Sequence, residues 1–90
     1  MRINPSLISF VARSKRRRDI LQKLNEDFLS QPEIKKLTGM YKAHTSRILT
    51  ELCDRKLIIC INPQDRAFKF YKITPLGKRI LREIERIIKP

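Results

Sequence analysis

The sequence predicts a mainly α fold closed by one small antiparallel β-hairpin, an α+β arrangement in a single domain over residues 1–90. Three observations predict it. Apolar residues recur at helical spacing in separate segments along the chain. A tight turn at Gly39 joins two of those segments. An apolar run at 57–61, a turn at 62–66 and an aromatic-rich return at 67–73 read as a strand pair.

The elements follow in chain order. Asn4-Pro5 marks a helix start, with asparagine at the cap and proline in the first turn. The helix runs over 5–12, with Leu7, Phe10 and Val11 on one stripe. Ser14 caps a helix over 15–25 that buries Ile20, Leu21 and Leu24. Asp27-Phe28-Leu29 reads as a short bridge. Ser30-Gln31-Pro32-Glu33 has the capping-box pattern, opening a helix over 31–38 with Ile34 and Leu37 inward. So short a helix needs neighbours to hold it. A longer helix is expected over 43–56, with Thr45, Ile48, Leu49 and Leu52 inward. The hairpin occupies 57–73, and both of its faces are apolar enough to need cover. Thr74-Pro75 opens the last helix, 75–88, with Ile80, Leu81, Ile84, Ile87 and Ile88 on one side. Gly77 lies near its start, where glycine costs about 1 kcal/mol relative to alanine. Close approach of a neighbouring backbone would account for it.

Two helices joined by a glycine turn and followed by a hairpin make a winged helix-turn-helix. The charge fits that plan. Lysine and arginine number 21 against 9 acids, a net charge of +12, so a polyanion is the first partner to consider. Four clusters carry it: residues 15–18, the helix after the glycine turn, the wing, and Lys78, Arg79, Arg82, Arg86 and Lys89 at the end. A hydrophobic content of 41% argues against a disordered basic tail. No apolar run is long enough to span a bilayer, and Met1-Arg2-Ile3-Asn4-Pro5 does not open a secretory leader. A cytoplasmic location is therefore expected, with no membrane partner.

Chemistry of other kinds finds little support. Two glycines leave no phosphate loop, and no carboxylate, Ser-His or Cys-His pair stands out, so no enzyme is expected. His44 is the only histidine, and no metal or other cofactor is expected. Cys53 and Cys60 are too few for a disulfide framework and read as small buried hydrophobes. A redox role for them is the weaker alternative.

The stretch Asp65-Arg66-Ala67-Phe68-Lys69-Phe70-Tyr71-Lys72-Ile73-Thr74-Pro75-Leu76-Gly77 resembles the wing of MarR-type winged-helix regulators. Their pattern is D-x-R, a strand, then L-T-x-x-G opening a helix. Thr38-Gly39-Met40-Tyr41-Lys42-Ala43-His44-Thr45-Ser46-Arg47-Ile48-Leu49-Thr50-Glu51-Leu52 is similar to that family's recognition helix. His44 stands where threonine is common and Lys56 where glycine is common. Arg66 sits one residue ahead of the usual wing arginine, whose slot holds Ala67. The resemblance covers about residues 14–82 and extends to small archaeal winged-helix proteins. Full-length family members carry further helices that build a dimer and an effector cleft; most of that is missing here, so no small-molecule effector is expected.

The resemblance and the charge together imply a sequence-specific, duplex-DNA-binding transcriptional regulator. The recognition-helix candidates are Tyr41, Lys42, Ala43, His44, Ser46, Arg47 and Thr50. Arg47 suits a bidentate contact to guanine, and Ala43 a thymine methyl. Arg16, Arg17, Arg18 and Gln31 are candidates for the phosphate backbone, because cations in a helix's first turn oppose its dipole and have no local reason to be there. Gln64, Arg66 and Lys69 are the wing candidates. A homodimer through the termini is the expected cover for the second apolar face, with packing of residues 3–12 over the sheet as the alternative. Two other functions fit the same fold: a protein-interaction module, and a non-specific nucleic-acid or chromatin-type binder.

Overall fold

Capping chemistry sets where the helices start. In the computed structural model, which describes residues 4–88, Asn4 accepts a hydrogen bond from the Ser6 amide and opens α1 (Pro5–Ala12). Ser14 accepts from Arg17 and opens α2 (Lys15–Glu26). Ser30 and Glu33 cap each other's backbone at the start of α3 (Gln31–Thr38). Gly39, at φ 71°, ends that helix in the left-handed region. Met40 is buried under the turn, and α4 (Lys42–Asp54) follows. Thr74 accepts from the Gly77 amide at the start of α5 (Pro75–Ile88).

Residues 1–3 and 89–90 lie outside the described residues, as does the side chain of Ile88. The leader reading at Met1–Ile3, the inward position of Ile88 and the charge of Lys89 therefore have no structural counterpart.

The sheet has three strands rather than two. β1 (Leu29–Ser30), β2 (Ile58–Cys60) and β3 (Phe70–Ile73) lie in the antiparallel order β1-β3-β2. Leu29 pairs with Tyr71 and Ser30 with Phe70; Ile58, Ile59 and Cys60 pair with Ile73, Lys72 and Tyr71. The segment around Asp27-Phe28-Leu29 is thus not only a bridge. Two residues are too few to show alternation, and the capping box beside them dominates the local pattern.

The wing strands are shorter than expected because side chains take over the backbone hydrogen bonds. Asn62 accepts from the Phe70 amide and donates to the Phe68 carbonyl. Asp65 accepts from the Ala67 and Phe68 amides. The bonds that would extend a ladder beyond Phe70 are satisfied within the turn.

α4 stops at Asp54, two residues before the expected end, and starts at Lys42. Lys56 has φ 64°, which no right-handed helix admits. α2 runs one residue further than expected, to Glu26.

The core is one cluster. Val11, Ile20, Leu21, Leu24, Ile34, Leu49, Leu52, Leu57, Ile58, Ile80, Leu81 and Ile84 are fully buried in it. Two expected inward residues lie outside it: Leu37 is 54% exposed and Ile87 is 69% exposed. α1 packs against α2 and α5, so the alternative of an N-terminal cover over the sheet is not what forms. Tyr71, Ile73 and Ile58 face the core, whereas Ile59, Ile61, Phe28 and Lys72 face outward and are exposed. Phe28 meets Phe70 edge-on across the outer face, with centroids 6.1 Å apart.

Gly77 is explained by contact. A Cβ there would stand 2.2 Å from the Leu57 carbonyl oxygen and 2.7 Å from Ile73 Cγ1. The Thr74 hydroxyl lies over the same segment, 2.7 Å from the Lys56 carbonyl and 3.0 Å from that of Leu57.

Candidate nucleic-acid interface

The N-terminal end of α3, the exposed side of α4 and the wing converge on one concave surface. The Gln31 amide donates to the Lys69 carbonyl at 3.1 Å, which ties α3 to the wing. The Gln31 side chain donates to Ser46 Oγ at 2.6 Å, which ties α3 to α4. Between them opens a cleft of about 460 Å³, lined by Gln31, Pro32, Lys35, Lys42, Thr45, Ser46, Arg66, Ala67 and Lys69. Four of these are cations and none is acidic, so the cleft attracts an anion.

Across α4 lies a second recess of about 320 Å³, between the start of α2 and the glycine turn. Lys15, Arg16, Asp19, Thr38, Tyr41 and His44 are among its lining residues. Arg16 Nη1 is 3.4 Å from His44 Nδ1, and the Tyr41 ring meets His44 edge-on at 6.4 Å.

The helical period sorts the α4 candidates between these recesses. Lys42 and Ser46 belong to the first, Tyr41 and His44 to the second. Ala43, Arg47 and Thr50, spaced i, i+4, i+7, lie along the crest between them, and all three are exposed. Thr45 is fully buried, and its hydroxyl donates to the Tyr41 carbonyl. In the wing, Arg66 and Lys69 reach the first cleft; Gln64 is exposed but does not line it. Asp65 beside them is held below the usual carboxylate range by the amides of Phe68 and Ala67.

Two members of the basic run are tied into the fold. Of its members, Arg16 alone among the phosphate candidates of α2 is exposed. Arg17 is half-buried: it donates to the Phe10 carbonyl at 2.8 Å and pairs with Glu51 at 3.2 Å. Its guanidinium lies 3.8 Å from the Phe10 ring centroid, with Arg55 also 3.7 Å from that centroid. Arg18 donates to the Ala12 carbonyl. Arg17 and Arg18 therefore join α1 to the rest of the fold, a local reason for cations that the dipole argument missed. Lys35 was missed in the opposite sense. It sits at i+4 from Gln31 on the face of α3 that lines the cleft, and that spacing was the available signal.

Cys53 and Cys60 are free and half-buried. Burial pushes the Cys53 thiol up, and the neighbouring Cys60 thiol adds to it, which disfavours the reactive thiolate. Among the described residues no cluster of His, Cys, Asp or Glu could hold a metal, and no helix is long and apolar enough to cross a membrane.

The model of the HVO_A0261 N-terminal domain matches residues 5–89. The chain belongs to that family. No curated protein matches the sequence of this family member. Among solved structures it is similar to apo MarR from E. coli, with a TM-score of 0.77 and 18% identity over 84% of this chain and 58% of MarR. It is similar to a mutant MarR from E. coli complexed with operator DNA, at a TM-score of 0.76 and 17% identity over 93% of this chain and 64% of that one. It is also similar to the transcriptional regulator BldR from Sulfolobus solfataricus, at a TM-score of 0.76 and 21% identity over 84% and 55%. The chain thus spans less than two thirds of each of these proteins. The likeness establishes a MarR-like winged-helix fold, as the wing and recognition-helix motifs implied.

Proposed function

We propose that this chain is a sequence-specific regulator of transcription that binds duplex DNA. One observation carries the reading: an acid-free cationic cleft formed where α3, α4 and the wing converge. In a winged helix this is the side that meets a duplex. That a protein of the same fold has been solved with operator DNA adds support.

In this reading α4 enters a major groove along its crest, Ala43, Arg47 and Thr50, with Arg47 reading guanine. Tyr41, Lys42, His44 and Ser46 flank it. Lys35, Lys42, Arg66 and Lys69 meet phosphates on the wing side; Arg16 does so on the other. Gln31 positions Ser46, and Gln64 extends the wing contact. Two copies associate through the α1–α5 end, where Ile87 is exposed, and bind half-sites about one helical turn apart. The protein acts in the cytoplasm and catalyses no reaction.

Binding to duplex DNA across a salt series tests this. Affinity should fall with a log–log slope of about 0.9 per phosphate neutralised. No binding at low salt would refute it and favour a protein-interaction module. Selection from random duplexes should enrich a motif that Arg47→Ala relaxes; no enrichment would favour a non-specific binder.

A further inference from the structure

The second recess holds a contact that decides the chemistry of the only histidine in the sequence. Arg16 Nη1 lies 3.4 Å from His44 Nδ1. A guanidinium only donates hydrogen bonds, so Nδ1 must hold a lone pair. In the neutral ring the proton then sits on Nε2. The other charged and titratable groups around the recess are Lys15 and Asp19 on α2 and Tyr41 at the start of α4. Lys42 and Arg47 flank His44 along its own helix.

We propose that Arg16 is a positioning residue that fixes the tautomer of His44, so that His44 meets a base edge as a hydrogen-bond donor through Nε2. This rests on the duplex-DNA reading above and specifies one of its contacts. The preferred edge carries an acceptor, such as guanine N7 or O6, adenine N7 or thymine O4, and the cytosine amino group is rejected. Without Arg16 the neutral ring is free to hold its proton on Nδ1 instead, which turns Nε2 into an acceptor and removes the preference for an acceptor-bearing edge.

The test uses the full chain and two duplexes, one carrying the motif enriched by selection and one a scramble of equal composition. The readout is the ratio of their dissociation constants. Arg16→Met should lower that ratio about five- to tenfold, the scale of one hydrogen bond. Arg16→Lys, which keeps a donor, should restore it. His44→Gln, whose amide donates from a similar reach, should keep it. Loss of a phosphate contact weakens both duplexes alike and leaves the ratio unmoved, so the ratio isolates the base contact. An unaltered ratio in Arg16→Met, a failure of Arg16→Lys to restore it, or a loss of the ratio in His44→Gln would overturn the proposal. If no duplex binds under any condition, the function reading fails and the nitrogen NMR spectrum of the lone imidazole decides this one. A proton fixed on Nε2 in the wild type and exchanging between both nitrogens in Arg16→Met would support it; a proton on Nδ1 in the wild type would overturn it.

Discussion

Arg17 and Arg16 are adjacent in sequence and do unlike work. The helical turn of about 100° between them sends Arg16 toward the second recess and Arg17 into the groove between α1 and α4. Arg17→Met removes a hydrogen bond to a carbonyl, a partly buried ion pair and a contact with the Phe10 ring. A loss of about 2 kcal/mol is expected in denaturant unfolding, with the salt slope of DNA binding unchanged. Lys42→Gln and Arg66→Gln should do the reverse, each lowering that slope by about 0.9 with the unfolding midpoint nearly fixed. Lys56 offers a gain. It occupies φ 64°, a conformation costing a side chain about 1 kcal/mol, so Lys56→Gly should raise stability by somewhat less than that in thermal melts.

At the scale of elements, two carboxylates hold the ends that face the cleft. Glu33 is kept below its usual range by hydrogen bonds from the Ser30 backbone and then its side chain; Asp65 is kept there by the Phe68 and Ala67 amides. A folded value below the unfolded one means the contribution is complete above the ordinary carboxylate range of about 4. It is lost as pH falls through the folded value. The Ala67 and Phe68 amide shifts should therefore move toward random coil as pH falls below the ordinary carboxylate range of about 4, whereas Asp65→Asn, which accepts without titrating, should hold them. Element identity was readable wherever local chemistry decided it: Ser30 with Glu33, Gly39, and Thr74-Pro75 name their own termini. β1 was not readable, because its pairing with β3 joins residues about forty apart in sequence. Leu37 misled for a related reason. It keeps helical spacing with Ile34 yet lies on the rim of α3, and the width of the buried stripe is set by neighbours rather than by the helix itself.

For the molecule as a whole, net charge points to a partner class but not to which cations line the cleft. The cleft residues Lys42, Arg66 and Lys69 were legible from their places in the motif. Arg17 and Arg18 were not, since a partly buried ion pair and a backbone acceptor on another helix leave no trace in spacing. At the far end, Arg86 pairs with Glu83 at 3.2 Å, and α5 packs on α1 and α2. A dimer built there should show about twice 10.7 kDa in light scattering, and Ile87→Asp should return it to the monomer mass without shifting the melting point of the monomer.

The missing Cβ at Gly77 lets α5 press its backbone onto the strand that begins the wing. Gly77→Ala should cost about 3 kcal/mol in unfolding, because a carbonyl has no room to yield. The contact also removes a hinge. Wing and last helix turn as one lever, so two copies meeting at the tips of α5 would carry their wings at a separation set by the angle of that joint. The distance between half-sites on the DNA would then be measured out by a glycine far from any base.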